Sequence, residues 1–254
     1  MEKLLEYESL TPEMSEFLAD CVAAQANILV SGGTGTGKTS LINALAEFIP
    51  TQERVLTIED SYELSLPIPN WLALQSLTKA SADDQVSIRL PDLLVESLRM
   101  RPDRIIVGEI RQPEAASVML EAANTGHEGT MTTVHTASAS RAMNFRLPNW
   151  VMSAGNMTHD TAVAEVANAF QLVVQVARHK KSGRRYISEI AEVDIDYVND
   201  GVCVPNMIYT ARRKRGDEGP DIIYEKTGSV SRNTELGMKL ADHDIERWFS
   251  DSAE

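Results

Sequence analysis

A glycine-rich stretch restricts the possible folds of this chain more than any other feature. Residues 32–39 read Gly-Gly-Thr-Gly-Thr-Gly-Lys-Thr and match the phosphate-binding pattern G-x-x-x-x-G-K-[ST] at every fixed position. An apolar run at 27–31 precedes the stretch, and apolar residues at helical spacing follow it before Pro50. A glycine-rich turn that only joins two elements is the alternative. Because the lysine, the threonine and both flanking elements fit, the pattern favours a strand, a phosphate loop and a helix.

The residue types in this loop indicate how it would hold a nucleotide. Glycines let backbone N–H groups approach phosphate oxygens, and the following helix presents its partly positive end to the same anion. Lys38 adds a mobile charge for the β- and γ-phosphates, and the Thr39 hydroxyl is suited to ligate Mg²⁺. The sequence therefore predicts ATP and Mg²⁺ as cofactors. The predicted nucleotide-binding residues are Gly32, Gly33, Thr34, Gly35, Thr36, Gly37, Lys38, Thr39 and Ser40.

Acidic residues follow the second apolar run of the chain. Residues 55–58 form that run, and Glu59, Asp60 and Glu63 come after it. Ligands of doubly wound sheets bind beyond the carboxyl ends of the strands, where the phosphate loop also lies. A solvated turn is the alternative, but this position favours a role in ordering magnesium or water.

Two further apolar runs end in polar residues that suit the chemistry of a triphosphate. Residues 104–107 end in Gly108-Glu109, whereas an ordinary Walker B strand ends in an aspartate for magnesium. We therefore predict that Glu109 is the base that orients and activates the attacking water, with a surface acid as the alternative. His135 follows the run at 130–134 and is predicted to sense the γ-phosphate, with a structural histidine as the alternative.

The length and the charge limit the overall class of the protein. A chain of 254 residues with 43% hydrophobic content can hold one large α/β domain or a domain with a smaller appendage. We expect a core over residues 1–150 and an appendage over 151–254. The net charge of −13 argues against a main surface that grips nucleic acid. With no apolar run of 18 residues and no signal peptide, we expect a cytoplasmic protein.

Several segments outside these motifs give weaker predictions. Hairpins are expected around residues 182–183 and 199–201, and one or two helices over 234–249. Residues 66–84 predict an irregular connection, and 211–219 a mobile loop. The tip at 178–185 is basic, and a solvated turn is favoured there over contact with an acidic partner or lipid headgroups.

Four segments together resemble the motifs of one protein family. They are Ser31–Thr39, Thr57–Asp60 with Glu63, Arg99–Arg111, and Asn124–Thr130 with Thr133–His135. They are similar to the Walker A, Asp box, atypical Walker B and His box segments of the secretion ATPases, which power type II and type IV secretion and type IV or Flp pilus assembly. The arginine-rich run before residue 108 looks closest to the type IV secretion and Flp pilus branch.

The resemblance implies a RecA-like P-loop NTPase core with a mainly parallel sheet, plus a C-terminal β-hairpin and helical appendage. It further implies a homo-oligomer, usually a hexameric ring, at the cytoplasmic face of inner-membrane secretion or pilus machinery. Glu59 and Asp60 would form the Asp box, with Asp60 near the metal, Glu109 the catalytic glutamate and His135 the His box. Candidate phosphate or subunit contacts are Arg99, Arg101, Arg104, Arg111 and Arg141, although salt bridges within the domain would explain several of them equally well.

The chain differs from the members of this family at the N-terminus. Family members normally carry a sizeable N-terminal domain that closes over the nucleotide, whereas almost nothing precedes Thr11 here. We expect that domain to be absent from this chain, through excision or placement on another polypeptide. Three functions are then possible: an ATP-hydrolysing motor, a nucleic-acid-dependent translocase or helicase, and a regulatory module that uses ATP only to assemble. The acidic balance and the 6% aromatic content disfavour the second.

Overall fold

A large sheet forms the centre of the computed structural model, which describes residues 1–77, 87–213 and 222–249. Within these ranges nine strands join in the order β11-β10-β7-β6-β1-β5-β4-β2-β3, and β8 pairs separately with β9. The strands are β1 Ile28–Gly32, β2 Val55–Glu59, β3 Trp71–Gln75, β4 Arg104–Val107, β5 Met131–Val134, β6 Leu172–Arg178, β7 Arg185–Glu192, β8 Val198–Asn199, β9 Val202–Cys203, β10 Asn206–Arg213 and β11 Ile222–Lys226.

The six strands from β6 to β3 pair in parallel, and β7, β10 and β11 extend the sheet in antiparallel fashion. The helices are α1 Glu2–Glu6, α2 Pro12–Ala23, α3 Lys38–Ala46, α4 Leu90–Ser97, α5 Pro113–Asn124, α6 Ala139–Arg141, α7 Leu147–Ala154, α8 His159–Ala169 and α9 Glu235–Asp242. Short 3-10 turns lie at Leu98–Met100 and Ile195–Tyr197, and a π-helical turn at Ala142–Arg146. None of the helices in the described residues has the length and hydropathy of a membrane span.

The core lies on both faces of the sheet because the parallel strands are buried on both sides. On one face, α2, α3 and α9 pack with Phe17, Ile42 and Leu236 against alternate strand residues such as Ile28. On the other face, α4, α5, α7 and α8 cover the strand residues of opposite parity, among them Leu29. This layering confirms the predicted α/β class with a mainly parallel sheet.

Local signals in the sequence located several elements correctly. Thr11, followed by Pro12 and Glu13, is a typical start signal for a helix, and Thr11 caps α2 by accepting a hydrogen bond from the Met14 backbone N–H. The hairpin at residues 182–183 joins β6 to β7, and Asp200 with Gly201 turns between β8 and β9 at positive φ. One helix, α9, forms within 234–249.

Other expectations need correction. Within the segment predicted to be irregular, Trp71–Gln75 forms the edge strand β3, which pairs in parallel with β2. Its half-exposed side chains give no clean alternation, so the periodicity missed it. The apolar residues at helical spacing continue to Pro50, whereas helix α3 ends at Ala46. Residues 211–213 belong to β10, and the rest of the predicted 211–219 loop lies outside the described residues.

The division into a core and an appendage stays a prediction. Strand β6, beyond residue 150, pairs over residues 172–176 with β1, which leads into the phosphate loop. The segment after residue 150 therefore contributes directly to the central sheet.

Candidate active site

The predicted site residues meet because of the order of the parallel strands. β1 neighbours β5, β5 neighbours β4, and β4 neighbours β2. Each strand is followed by one of the predicted polar segments, and the carboxyl ends of parallel strands meet at one edge of the sheet. The phosphate loop, Glu59, Glu109 and His135 consequently share this edge.

The phosphate loop has the backbone that its glycines predict. Gly35 and Gly37 have φ values of +68° and +98°, which glycine adopts without strain. A Cβ on Gly32 would lie 2.6 Å from the carbonyl oxygen of Val176, so β6 leaves no room for a side chain there. Lys38 is a buried residue that begins α3, and its Nζ lies 3.3 Å from the carbonyl oxygen of Gly33. Burial lowers the pKa of the Lys38 ammonium below its usual value.

His135 connects the phosphate loop to the predicted base. Its Nε2 lies 2.9 Å from the Thr34 hydroxyl oxygen, and its Nδ1 lies 3.5 Å from Lys38 Nζ. The same Nδ1 lies 3.3 Å from Oε1 of Glu109. The imidazole is therefore positioned between a loop hydroxyl, the loop lysine and a carboxylate.

Glu109 is held as a carboxylate. Its Oε2 accepts hydrogen bonds from Nε and Nη2 of Arg111, at 2.9 and 2.6 Å. Burial acts to raise the pKa of Glu109, but the hydrogen bonds from Arg111 and His135 outweigh it and hold the pKa below its usual value. A half-buried, ionised carboxylate beside the phosphate loop can accept a proton from water.

The glycine at position 108 leaves space that the side chain of Glu59 occupies. A Cβ at Gly108 would lie 2.9 Å from Glu59 Cγ. The Oε1 atom of Glu59 accepts hydrogen bonds from the backbone N–H groups of Glu63 and Leu64, both at 3.0 Å. Burial raises the pKa of this carboxyl above its usual value, and those two hydrogen bonds oppose the rise. An aspartate at position 108 would therefore collide with Glu59.

The side chains that could hold a metal ion lie around Thr39. Its hydroxyl donates a 2.9 Å hydrogen bond to Oε2 of Glu63, whereas Asp60 accepts one from the Ser76 hydroxyl. Glu59 Oε2 is buried and has no hydrogen-bond partner among the described residues. A hydroxyl, an exposed carboxylate and an unpaired buried carboxylate oxygen fit a hard cation such as Mg²⁺. Within the described ranges, no group of three or more acidic, histidine or cysteine side chains forms a complete metal cage.

The arginines predicted as candidate phosphate or subunit contacts lie in different parts of the structure. Arg104 lies at the start of β4, where its fully buried side chain pairs with Glu53 and donates to the carbonyl of Val22 at 2.7 Å. It is therefore a structural residue, and its candidacy as a phosphate or subunit contact is wrong. Arg101 precedes β4 and is exposed, away from the loop end of that strand.

Two of the three remaining candidates, Arg111 and Arg141, lie after strands that end at the site edge. Arg111 contacts Glu109, and Arg141 is exposed in the last turn of α6. Arg99 pairs with Glu96 on an exposed surface.

Comparison with known proteins identifies a family that matches this chain. A family described as Type II/IV secretion system protein matches residues 1–230. The chain belongs to this family. The resemblance to the secretion ATPases is thereby confirmed, and membership implies nucleotide binding.

Individual secretion-system relatives support the type IV branch. The chain is 42% identical to the type IV secretion system protein VirB11 of Bartonella henselae over 126 residues, covering 50% of this chain and 35% of that protein. It is 33% identical to the conjugal transfer protein TrbB of Rhizobium radiobacter over 188 residues, or 73% of this chain and 54% of that one. The chain spans about half the length of the curated relatives that it matches.

Solved structures of this secretion-system family have the same fold. The VirB11 ATPase of the Brucella suis type IV secretion system, crystallised with sulphate, aligns with a TM-score of 0.63 at 31% identity, covering 73% of this chain and 57% of that one. The pilus retraction motor PilT, crystallised with ADP, aligns with a TM-score of 0.56 at 25% identity, covering 73% and 52%.

Sequence reasoning missed one residue of the site. Arg185, at the start of β7, donates from Nε to the carbonyl oxygen of Gly35 at 2.9 Å. In the sequence, Arg185 is one of several cations in the basic segment 178–185, for which a solvated turn was the favoured interpretation. Only the pairing of β6 with β1, which brings the hairpin beside the loop, could have singled it out.

Proposed function

We propose that this chain is the motor domain of a Mg²⁺-dependent ATPase that couples ATP hydrolysis to protein secretion, conjugative transfer or pilus assembly. The observation that carries the proposal is the contact series from Lys38 through His135 to Glu109 at the phosphate loop. A structural phosphate site would not require an ionised carboxylate facing the loop lysine. A hydrolase requires one to take a proton from water.

In the proposed reaction, a water oxygen attacks the γ-phosphorus of ATP, and the bond from that phosphorus to the β–γ bridging oxygen breaks. Glu109 accepts the proton of the attacking water and returns it to the products, which are ADP and phosphate. Lys38 and the loop amides balance the charge that develops on the phosphate oxygens. His135 orients Glu109 and, through Thr34, links the γ-phosphate end of the site to the loop.

Thr39 and Glu63 would hold the Mg²⁺ ion, with Glu59 and Asp60 acting through water. The cation would neutralise charge on the β- and γ-phosphates. Glu63 is the carboxylate in contact with the Thr39 hydroxyl, so we assign it a larger role than Asp60.

Hydrolysis would change how neighbouring subunits sit in a homo-oligomeric, hexameric ring at the cytoplasmic face of the inner membrane. The type IV secretion protein VirB11 and the motor PilT, both similar to this chain, support that setting. An exposed arginine such as Arg141 would then reach a neighbouring subunit's nucleotide.

The test is the rate of phosphate release by the wild type and by Glu109→Gln, with ATP affinity measured in parallel. We expect Glu109→Gln to reduce turnover by about 10²–10⁴-fold and to leave the Kd for ATP nearly unchanged. Glu114→Gln, an exposed acid in the first turn of α5, is the matched control and should turn over like the wild type. Equal turnover in Glu109→Gln would remove the residue from the role of base.

The alternative function is a nucleic-acid-dependent translocase on the same core. Adding single-stranded DNA to the same assay separates the two proposals. A rate unchanged by DNA supports the secretion motor, and strong stimulation would favour the translocase.

A further inference from the structure

Three adjacent strands present polar side chains to one short segment next to the phosphate site. Ser31 of β1, Gln175 of β6 and Glu189 of β7 stand side by side, because Ser31 pairs with Gln175 and Gln175 pairs with Glu189. We call these three residues the polar row. The segment is 136–139, which directly follows His135 and includes the first residue of α6. The row therefore contacts the chain where it leaves the predicted γ-phosphate sensor.

Each residue of the polar row forms a hydrogen bond to that segment. The hydroxyls of Ser31 and Thr136 bond to one another, and Nε2 of Gln175 donates to the Thr136 carbonyl oxygen at 3.3 Å. Oε2 of Glu189 accepts a hydrogen bond from the Ala139 backbone N–H at 2.9 Å. Three strands thus hold the four residues that come after the histidine.

Gln175 is the member of the row whose position is hardest to explain by packing alone. It is a buried amide in an otherwise apolar part of β6, and burying an amide costs free energy unless it is hydrogen-bonded. Among the described residues its Oε1 has no partner, so its side chain bonds only to the Thr136 carbonyl. The pairing of β6 with β7 also shifts register directly after Gln175, and such bulges re-aim side chains beside active sites. The amide therefore serves the segment after the histidine.

The position of His135 depends on the residues that follow it. Val134 is the last residue of β5 that pairs with β1, so the backbone of His135 lies beyond the ladder. The imidazole nevertheless lies 2.9 Å from the Thr34 hydroxyl and 3.3 Å from a carboxylate oxygen of Glu109. A rotation of the next peptide, at Thr136, would move the ring away from both groups.

We propose that Gln175 is a positioning residue for ATP hydrolysis and that it acts through His135. By holding the carbonyl of Thr136, it keeps the imidazole between Thr34 and Glu109, where the ring orients the carboxylate. The inference rests on the proposed function for the reaction, and on the structure for the placement of the histidine. It assigns to strand β6 a role in the geometry of the site.

The first measurement is a double-mutant cycle on turnover with Gln175→Met, His135→Ala and the double variant. Methionine is a similarly unbranched side chain that lacks the amide donor. We expect Gln175→Met alone to lower kcat about tenfold and to leave the Kd for ATP nearly unchanged, because misplacing an orienting group affects rate more than binding. In the His135→Ala background the same substitution should change kcat by less than about twofold, since residues that act through one another are not additive.

Gln171→Met is the matched control. Gln171 and Gln175 are 2% and 4% exposed, and both belong to the same part of the chain. The side chain of Gln171 bonds to the Asn27 N–H before β1 and to Glu235 at the start of α9. Both substitutions remove hydrogen bonds of a buried amide, so both should lower the melting temperature, but only Gln175→Met should lower kcat.

The second measurement needs no turnover. The ring-proton NMR signal of His135 is assigned by its loss in His135→Ala; it should shift in Gln175→Met and stay in place in Gln171→Met. Gln175→Glu keeps the size of the side chain and loses the amide donor, so it should shift the same signal, and it is used if the methionine variant does not fold. A wild type without ATPase activity would defeat the proposed function, and this signal would still decide whether Gln175 positions the histidine.

Three results would overturn the inference. An unchanged kcat in Gln175→Met, or losses of kcat that add in the double variant, would show that Gln175 does not act through His135. An equal loss of kcat in Gln171→Met would show that any buried amide of this strand has the same effect. An unmoved His135 signal in the Gln175 variants would show that the amide does not position the imidazole.

Discussion

The Nδ1 atom of His135 lies 3.3 Å from Oε1 of Glu109. Glu109 follows β4 and His135 follows β5, and these two strands are adjacent in the sheet. The two residues are 26 positions apart in the sequence and meet only because β4 and β5 are neighbours. A histidine in this position can both orient the carboxylate and respond to the γ-phosphate. The contact therefore leads to a prediction about turnover.

His135→Ala should lower turnover by about 10–100-fold, because Glu109 loses a group that orients it while the loop amides and Lys38 remain. The Kd for ATP should change much less than turnover. Phosphate-release kinetics and ATP titration measure the two effects. His243→Ala, an exposed histidine at the end of α9, is the control. Wild-type turnover in His135→Ala would make the histidine structural.

Arg111→Ala should move the acidic limb of the pH–rate profile toward higher pH. The two hydrogen bonds from Arg111 help to hold the pKa of Glu109 below its usual value, so their loss lets that pKa rise. Glu109 would then become protonated, and inactive as a base, at a higher pH than in the wild type. The measurement is kcat/KM as a function of pH. The quantity to compare is the pH at the midpoint of the acidic limb, not the maximum value of kcat/KM. Arg99→Ala, which removes an exposed arginine paired with Glu96, should leave the limb in place.

Glu63→Gln should raise the Mg²⁺ concentration for half-maximal turnover by about 10-fold or more, since Glu63 contacts the Thr39 hydroxyl. Asp60→Asn should have a smaller effect because Asp60 bonds to Ser76. Magnesium titration of the ATPase rate compares the two variants. A larger effect for Asp60→Asn would assign the principal metal role to Asp60, which the family resemblance places near the metal.

Gly108→Ala should destabilise the fold by about 1–3 kcal/mol, because the new Cβ would lie 2.9 Å from Glu59 Cγ in a packed site. Turnover should also fall, since Glu59 must move. Thermal unfolding followed by circular dichroism gives the stability change. Gly155→Ala is the control, because the nearest atoms to its added Cβ lie 3.8 Å or more away. If Gly108→Ala unfolds at the same temperature as the wild type, the Glu59 side chain moves aside without loss of stability.

Glu53→Ala should reduce the free energy of unfolding by about 3–5 kcal/mol, because it leaves the fully buried guanidinium of Arg104 without its carboxylate. Urea denaturation measures this change. Glu246→Ala, which breaks an exposed pair with Arg232, should cost no more than about 1 kcal/mol. Similar losses in both variants would mean that Arg104 finds other partners.

Local sequence signals determined much of this protein. The phosphate loop, its flanking strand and helix, the Thr11 cap and both hairpin turns depend on short-range rules of backbone geometry and hydrogen bonding, so neighbouring residues suffice to predict them. The polar residues after Val107 and Val134 could also be placed, because carboxyl ends of parallel strands share an edge.

Which polar groups touch depends on the packing of segments that are distant in the sequence. Strand order places Glu63 rather than Asp60 against Thr39, buries Arg104 against Glu53, and brings Arg185 of a distant hairpin to the carbonyl of Gly35. These contacts depend on distances between segments far apart in the chain, which no periodicity or local propensity encodes. The space that Glu59 takes at Gly108 is likewise a property of two packed strands, β2 and β4, and not of either sequence alone.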